Sequence, residues 1–115
     1  MRLLVVEDDP TLREAVVDTL KLKGYDVKEA PNGIEAVALL NHHNFDVVLS
    51  DINMPGMDGL ELGEKLRSRF PGAVIALLTA NIQQEIQNKA ENLGLDFIAK
   101  PPTEDKIRDY IMSRE

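Results

Sequence analysis

The feature that most constrains this chain is a fivefold alternation. Short apolar, β-branched runs recur at residues 3–6, 26–30, 46–50, 73–78 and 96–99, and a stretch of helical period follows each of them. In the first such stretch Leu12, Ala15, Val16, Thr19, Leu20 and Leu22 share one face; Pro10 suits its first turn, Asp9 its cap and Gly24 its end. Asn32-Gly33 makes a turn, and Ile34, Val37, Ala38 and Leu40 outline a second helix, which argues against the hairpin that Asn-Gly otherwise signals. Leu60, Leu62, Leu66 and Phe70 outline a third, closed by Pro71-Gly72, and Ile82, Ile86, Ala90 and Leu93 a fourth, stopped by Gly94. Thr103 is placed to cap a fifth that carries Ile107, Tyr110 and Ile111, with Glu104 and Asp105 in its first turn. Runs one, three and four are uninterrupted, as in strands covered on both faces. The expected fold is α/β: a (βα)5 doubly wound parallel sheet of five strands with right-handed crossovers, in one domain over residues 1–115.

A chain of 115 residues buries roughly 60 to 70% of its unfolded surface and needs no staple. It has no cysteine, which excludes disulfides and thiolate sites. The 20 acidic against 13 basic residues give a formal charge of −7, which argues against nucleic acid or an anionic membrane as a direct partner. The apolar runs are too short to span a bilayer, and residues 1–6 run straight into acids without a signal-peptide core. The expected location is the cytoplasm.

The functional argument rests on where polar residues fall. Run one ends in Glu7-Asp8-Asp9, run three in Asp51, run four in Thr79 and run five in Lys100. In open α/β sheets the ligand crevice lies beyond the carboxyl ends of the strands. One rim therefore gathers Glu7, Asp8, Asp51, Thr79 and Lys100, and the opposite rim is expected to carry no such set. Each residue has a plainer use: Asp8 or Asp9 as a cap of the first helix, Asp51 as a turn former, Thr79 as a cap, Lys100 as a solvated lysine. Capping alone does not predict their convergence. Two charges about 5 Å apart repel by roughly 3 kcal/mol at an effective dielectric near 20, so three carboxylates together cost about 10 kcal/mol. One lysine does not offset that. The site needs raised pKa values or a divalent cation, and hard oxygen ligands suit Mg²⁺, which keeps waters that a phosphoryl oxygen can displace.

These residues carry a family resemblance. Val5-Val6-Glu7-Asp8-Asp9, the stretch from Ser50 through Asp51, Asn53, Met54, Pro55 and Met57 to Asp58-Gly59, Leu78-Thr79-Ala80 and Ala99-Lys100-Pro101 together resemble a two-component response regulator receiver domain of the CheY-like kind, across essentially the whole chain. The resemblance implies strand order 2-1-3-4-5. It implies that Asp51 takes a phosphoryl group from a sensor histidine kinase or a histidine phosphotransfer protein. It implies Mg²⁺ held by Asp8, Asp51 and the Asn53 carbonyl, with Glu7 on the metal or its water. Lys100 then pairs with Asp51 or a phosphoryl oxygen. Thr79 donates its hydroxyl to the phosphoryl group, and Phe97 is its aromatic switch partner. A downstream protein target is expected at the face of helix 4, strand 5 and helix 5. On this reading the chain is a phosphoacceptor signalling domain and not an enzyme, with only autocatalytic phosphorylation and dephosphorylation.

Some residues depart from the family pattern. Pro102 replaces the usual aromatic after Lys-Pro, and Asn81 with Asn53 bears on how water reaches an acyl phosphate. Lys100–Pro101 is a cis candidate by resemblance. His42-His43 reads as surface, Met54 and Met57 as gap fillers, and the amide- and charge-rich run 83–92 as the solvated face of helix 4. Three alternatives stay open: the receiver part of a longer regulator with an output domain, a degenerate receiver that only binds, and an aspartyl-phosphate phosphatase. The last usually has a second acid two residues after the nucleophile, where Asn53 stands here.

Overall fold

The computed structural model describes residues 2–51, 59–69, 72, 74–79, 84–99 and 103–113. The element order is β1 (Arg2–Val6), α1 (Pro10–Leu22), β2 (Asp26–Ala30), α2 (Gly33–His42), β3 (Val47–Asp51), α3 (Gly59–Arg69), β4 (Val74–Thr79), α4 (Gln84–Asn92), β5 (Asp96–Ala99) and α5 (Glu104–Met112). The strands form one parallel sheet in the order β2-β1-β3-β4-β5. Fold class, topology and strand order all match the expectation. The third and fourth strands end one residue later than the apolar runs, so Asp51 and Thr79 are the last residues of their strands.

Strand alternation explains how the core divides. Leu4, Val6, Val48, Ile75 and Leu77 pack with Ala36 and Leu40 of α2, Leu62 and Leu66 of α3 and Ala90 of α4. Leu3, Val5, Val47, Leu49, Ala76, Leu78 and Ile98 turn to the other face and meet Val16, Val17 and Leu20 of α1 and Ile107 and Ile111 of α5. The sheet is thus covered on both faces, which is why its inner strands have no polar alternation. Each fully buried leucine or isoleucine contributes on the order of 1.5–3 kcal/mol.

The local signals at helix ends hold. Asp9 caps α1, accepting from the amides of Thr11 and Leu12, with Pro10 in the first turn. Asn32 caps α2 by accepting from the Glu35 amide, so Asn32-Gly33 opens a helix and forms no hairpin. Thr103 caps α5 through the Lys106 amide. Gly24 and Gly94 both take positive φ, +89° and +73°, which is how α1 and α4 are stopped.

The helix faces needed correction. Leu22 is 87% exposed and Ile34 73% exposed, and Ala15 and Ala38 also face solvent. Val17, which the first-helix pattern left out, is buried instead. The i, i+4 row Leu12, Val16, Leu20 is the true inner stripe of α1, and the adjacent Val17 widens it. Apolar residues at the margin of a stripe have no pattern of their own; the angle at which the helix meets the sheet decides them. Ile82, Phe70 and Pro71 lie outside the described residues.

Candidate metal and phosphoacceptor site

The parallel register carries three acids to one place. Val6 is level with Ser50, so Glu7 and Asp8 leave β1 where β3 ends in Asp51. After β1 the chain crosses to β2 on one side, and the later strands build outward from the other. The gap between β1 and β3 is therefore the point where strand order reverses, and an α/β sheet opens a crevice there.

Glu7, Asp8 and Asp51 each offer a carboxylate oxygen, and these oxygens lie within 4.8 Å of one another. Glu7 is 2% exposed and Asp51 5%, whereas Asp8 is exposed. Ligands of one octahedral Mg²⁺ stand about 3 to 4 Å apart when each bond is about 2.1 Å. Side-chain adjustment of less than about 1 Å would let all three serve one ion. The donor set also fits in kind: hard, anionic oxygens, two of them shielded from water and one open to it.

The acids after β1 divide their work. Asp9 is occupied as the α1 cap, so capping does not draw on Asp8. Glu7 is held through its backbone. Its amide donates to the Ala30 carbonyl at 3.1 Å, and its carbonyl accepts from Arg13 Nη1 at 2.8 Å. Arg13 Nε also donates to Glu29 Oε1 at 3.2 Å. Arg13 escaped the sequence reading because it lies among polar residues on a helix flank.

Thr79 is 4% exposed at the end of β4. Its register partner is Ala99, and Phe97 is level with Leu77. Residues 75, 77 and 79 alternate to the same face, so Thr79 shares the α4 side of the sheet with Phe97, which is half-buried against Leu77 and its neighbours. Asn53 and Lys100, together with Met54, Met57, Asn81, Pro102 and the Lys100–Pro101 bond, lie outside the described residues. Ala99, immediately before Lys100, ends β5 beside Thr79.

His42 is exposed as expected; His43 is half-buried, with its ring edge toward Phe45 at a centroid distance of 6.3 Å. Described residues on the outer side of α4 are solvated, and Gln84 donates to Asn88 there at 2.9 Å.

Comparison with known proteins agrees with this architecture. Residues 3–112 match the model of the response regulator receiver domain. The chain belongs to that family. It is 42% identical over 109 residues to a cyclic di-GMP phosphodiesterase of Thermotoga maritima, covering 94% of this chain and 29% of that protein. It is 36% identical over 112 residues to the sensor protein EvgS of Escherichia coli K12, covering 96% of this chain and 9% of that protein. The chain thus spans less than a third of the length of these curated relatives. Among solved structures, the chemotaxis protein CheY4 of Vibrio cholerae superposes with a TM-score of 0.93 at 30% identity, covering 99% of this chain and 98% of that one. The receiver reading is thereby established, and with it the role of a signalling domain in a two-component system. Among the described residues, no helix is long and apolar enough to cross a membrane.

Proposed function

We propose that this receiver takes a phosphoryl group onto Asp51 from a phosphohistidine donor, on a sensor kinase or a phosphotransfer protein, and signals through a conformational switch. The observation that carries the reading is the meeting of Glu7, Asp8 and Asp51 at the strand-order reversal. Asp8 and Asp51 would hold Mg²⁺, with the Asn53 carbonyl as a further ligand and Glu7 bound directly or through a water. Bound there, Mg²⁺ supplies positive charge against the phosphoryl oxygens.

The chain's own groups do the rest. A carboxylate oxygen of Asp51 forms the bond to phosphorus as the phosphorus–nitrogen bond of the donor breaks, and the imidazole leaves. The transition state is loose, so placement and charge matter more than proton transfer. Lys100 offsets phosphoryl charge and Thr79 donates its hydroxyl to it. When Thr79 moves toward the new anion it vacates space on the face it shares with Phe97. That biases two states of the surface formed by α4, β5 and α5, where a protein target would dock. Turnover is limited to autocatalytic phosphorylation and dephosphorylation. The absence of a second acid at Asn53 speaks against a phosphatase, and the assembled acid group speaks against a degenerate receiver. The high acid content and short apolar runs support a cytoplasmic setting without direct contact to nucleic acid or membrane.

Acetyl phosphate with Mg²⁺, read by intact mass, tests this. Wild type is expected to gain one phosphoryl adduct and Asp51→Asn none. A folded wild type without an adduct, or an equal adduct on Asp51→Asn, rejects the assignment.

A further inference from the structure

We infer that Arg13 is a positioning residue for the acidic site, acting as a two-partner clamp on the peptide that joins Glu7 to Asp8. The inference rests on the metal site proposed above and deepens it. The peptide unit is planar, and its six atoms include the α-carbons of both residues. Restraining the Glu7 carbonyl therefore restrains the peptide unit from whose two ends both carboxylates project.

Arg13 fixes that carbonyl from the side of α1. Its Nη1 donates to Glu7 O at 2.8 Å, while its Nε donates to Glu29 Oε1 at 3.2 Å. Its own amide donates to Asp9 O at 2.9 Å in the first turn of α1. The side chain is only 18% exposed, against 47% for Glu29. Three further contacts complete the frame. The Glu7 amide is tied to Ala30 O at the end of β2, and Asp9 is pinned as the cap of α1 by two amides. Asp8 thus stands between two fixed points, although it is itself exposed. A rigid guanidinium suits this task because its donors lie in one plane at set angles, so one group can serve Glu29 and Glu7 at once. Lysine carries the same charge on a single ammonium without that fork.

Charge and geometry predict opposite outcomes. As a mere cation near the acids, Arg13 opposes a divalent ion, and neutralising it would tighten metal binding. As a clamp, it preorganises the ligands, and its loss weakens binding because the metal must then order the peptide itself.

The experiment measures Mn²⁺ affinity by electron paramagnetic resonance, with urea unfolding of the metal-free proteins alongside. Wild-type binding, abolished in Asp51→Asn, checks the underlying site; without it the site reading fails, whatever Arg13 does. Given wild-type binding, Arg13→Gln is expected to raise Kd about three- to tenfold and Arg13→Lys to recover less than half of that loss. Glu29→Gln, which neutralises and so weakens one arm of the clamp away from the ligands, is expected to raise Kd about twofold. Unchanged or tighter binding in Arg13→Gln overturns the inference, and so does full recovery with lysine. If the glutamine variant does not fold, wild-type affinity in both Arg13→Lys and Glu29→Gln overturns it equally.

Discussion

The two rims of the sheet use the same residue type in opposite ways. At the amino-terminal rim, Asp26, Asp46 and Asp96 stand at or just before the starts of three strands, and each has a donor of its own. Arg2 Nε donates to Asp26 at 3.1 Å, the Arg2 amide to Asp46 at 2.7 Å and the Tyr110 hydroxyl to Asp96 at 2.8 Å. At the carboxyl-terminal rim, Glu7, Asp8 and Asp51 converge on one another instead. Acids are thus present at the opposite rim too, but they are spread out and paired, so among the described residues it carries no converging set. The contrast teaches that acidic residues at strand ends are not in themselves a site. Spread along a rim they fasten strands, whereas gathered at the strand-order reversal they form a group that could hold a cation.

Cation binding separates the two rims most strongly. Mg²⁺ at 100 times its Kd should raise the unfolding free energy by about 2.7 kcal/mol, and Asp8→Asn should remove the increase; urea titration with and without chelator measures both. A similar increase surviving in Asp8→Asn would mean that the cation acts elsewhere. In chelator, the same substitution should raise stability by about 1 kcal/mol, since it relieves like-charge repulsion at an exposed, solvent-screened position. The opposite sign is expected at the other rim. Tyr110→Phe takes a half-buried donor from Asp96 and should lower stability by about 1 kcal/mol in the same titration, with no change in its Mg²⁺ dependence.

A weaker signature of the amino-terminal rim lies in its response to pH. The Arg2 hydrogen bond holds the Asp26 carboxyl below its ordinary value of 3.8, with the nearby charge of Arg2 adding to it against the opposing effect of burial. A carboxylate lowered in the folded state stabilises the fold above pH 3.8, and that contribution fades as pH falls through the lowered value. An NMR titration of Asp26 should give a midpoint below 3.8, returning toward it in Arg2→Ala. A midpoint unchanged by Arg2→Ala would show that the pair does not persist in solution.

Much of this was legible in one dimension. The strands, the caps Asp9 and Thr103, and the stops Gly24 and Gly94 depend on neighbours within one or two turns, so composition and spacing expose them. Leu22 was misread because its inward or outward sense depends on how a finished helix lies on the sheet, which no local period encodes. Arg13 was invisible for a related reason: of its partners, Glu7 follows β1 and Glu29 lies in β2, and only the pairing of β1 with β2 brings both within reach of α1.

The amino-acid order by itself determined the alternation of strands and helices and put an acid, a threonine and a lysine after particular strands. Those outcomes follow from backbone periodicity and turn chemistry, which act over a few residues. Tertiary structure alone decided that the acids following β1 and the acid ending β3 share one crevice, and that the acids at the far rim do not. Those outcomes follow from parallel register and crossover, which join segments distant in the chain and set which charges must share one space.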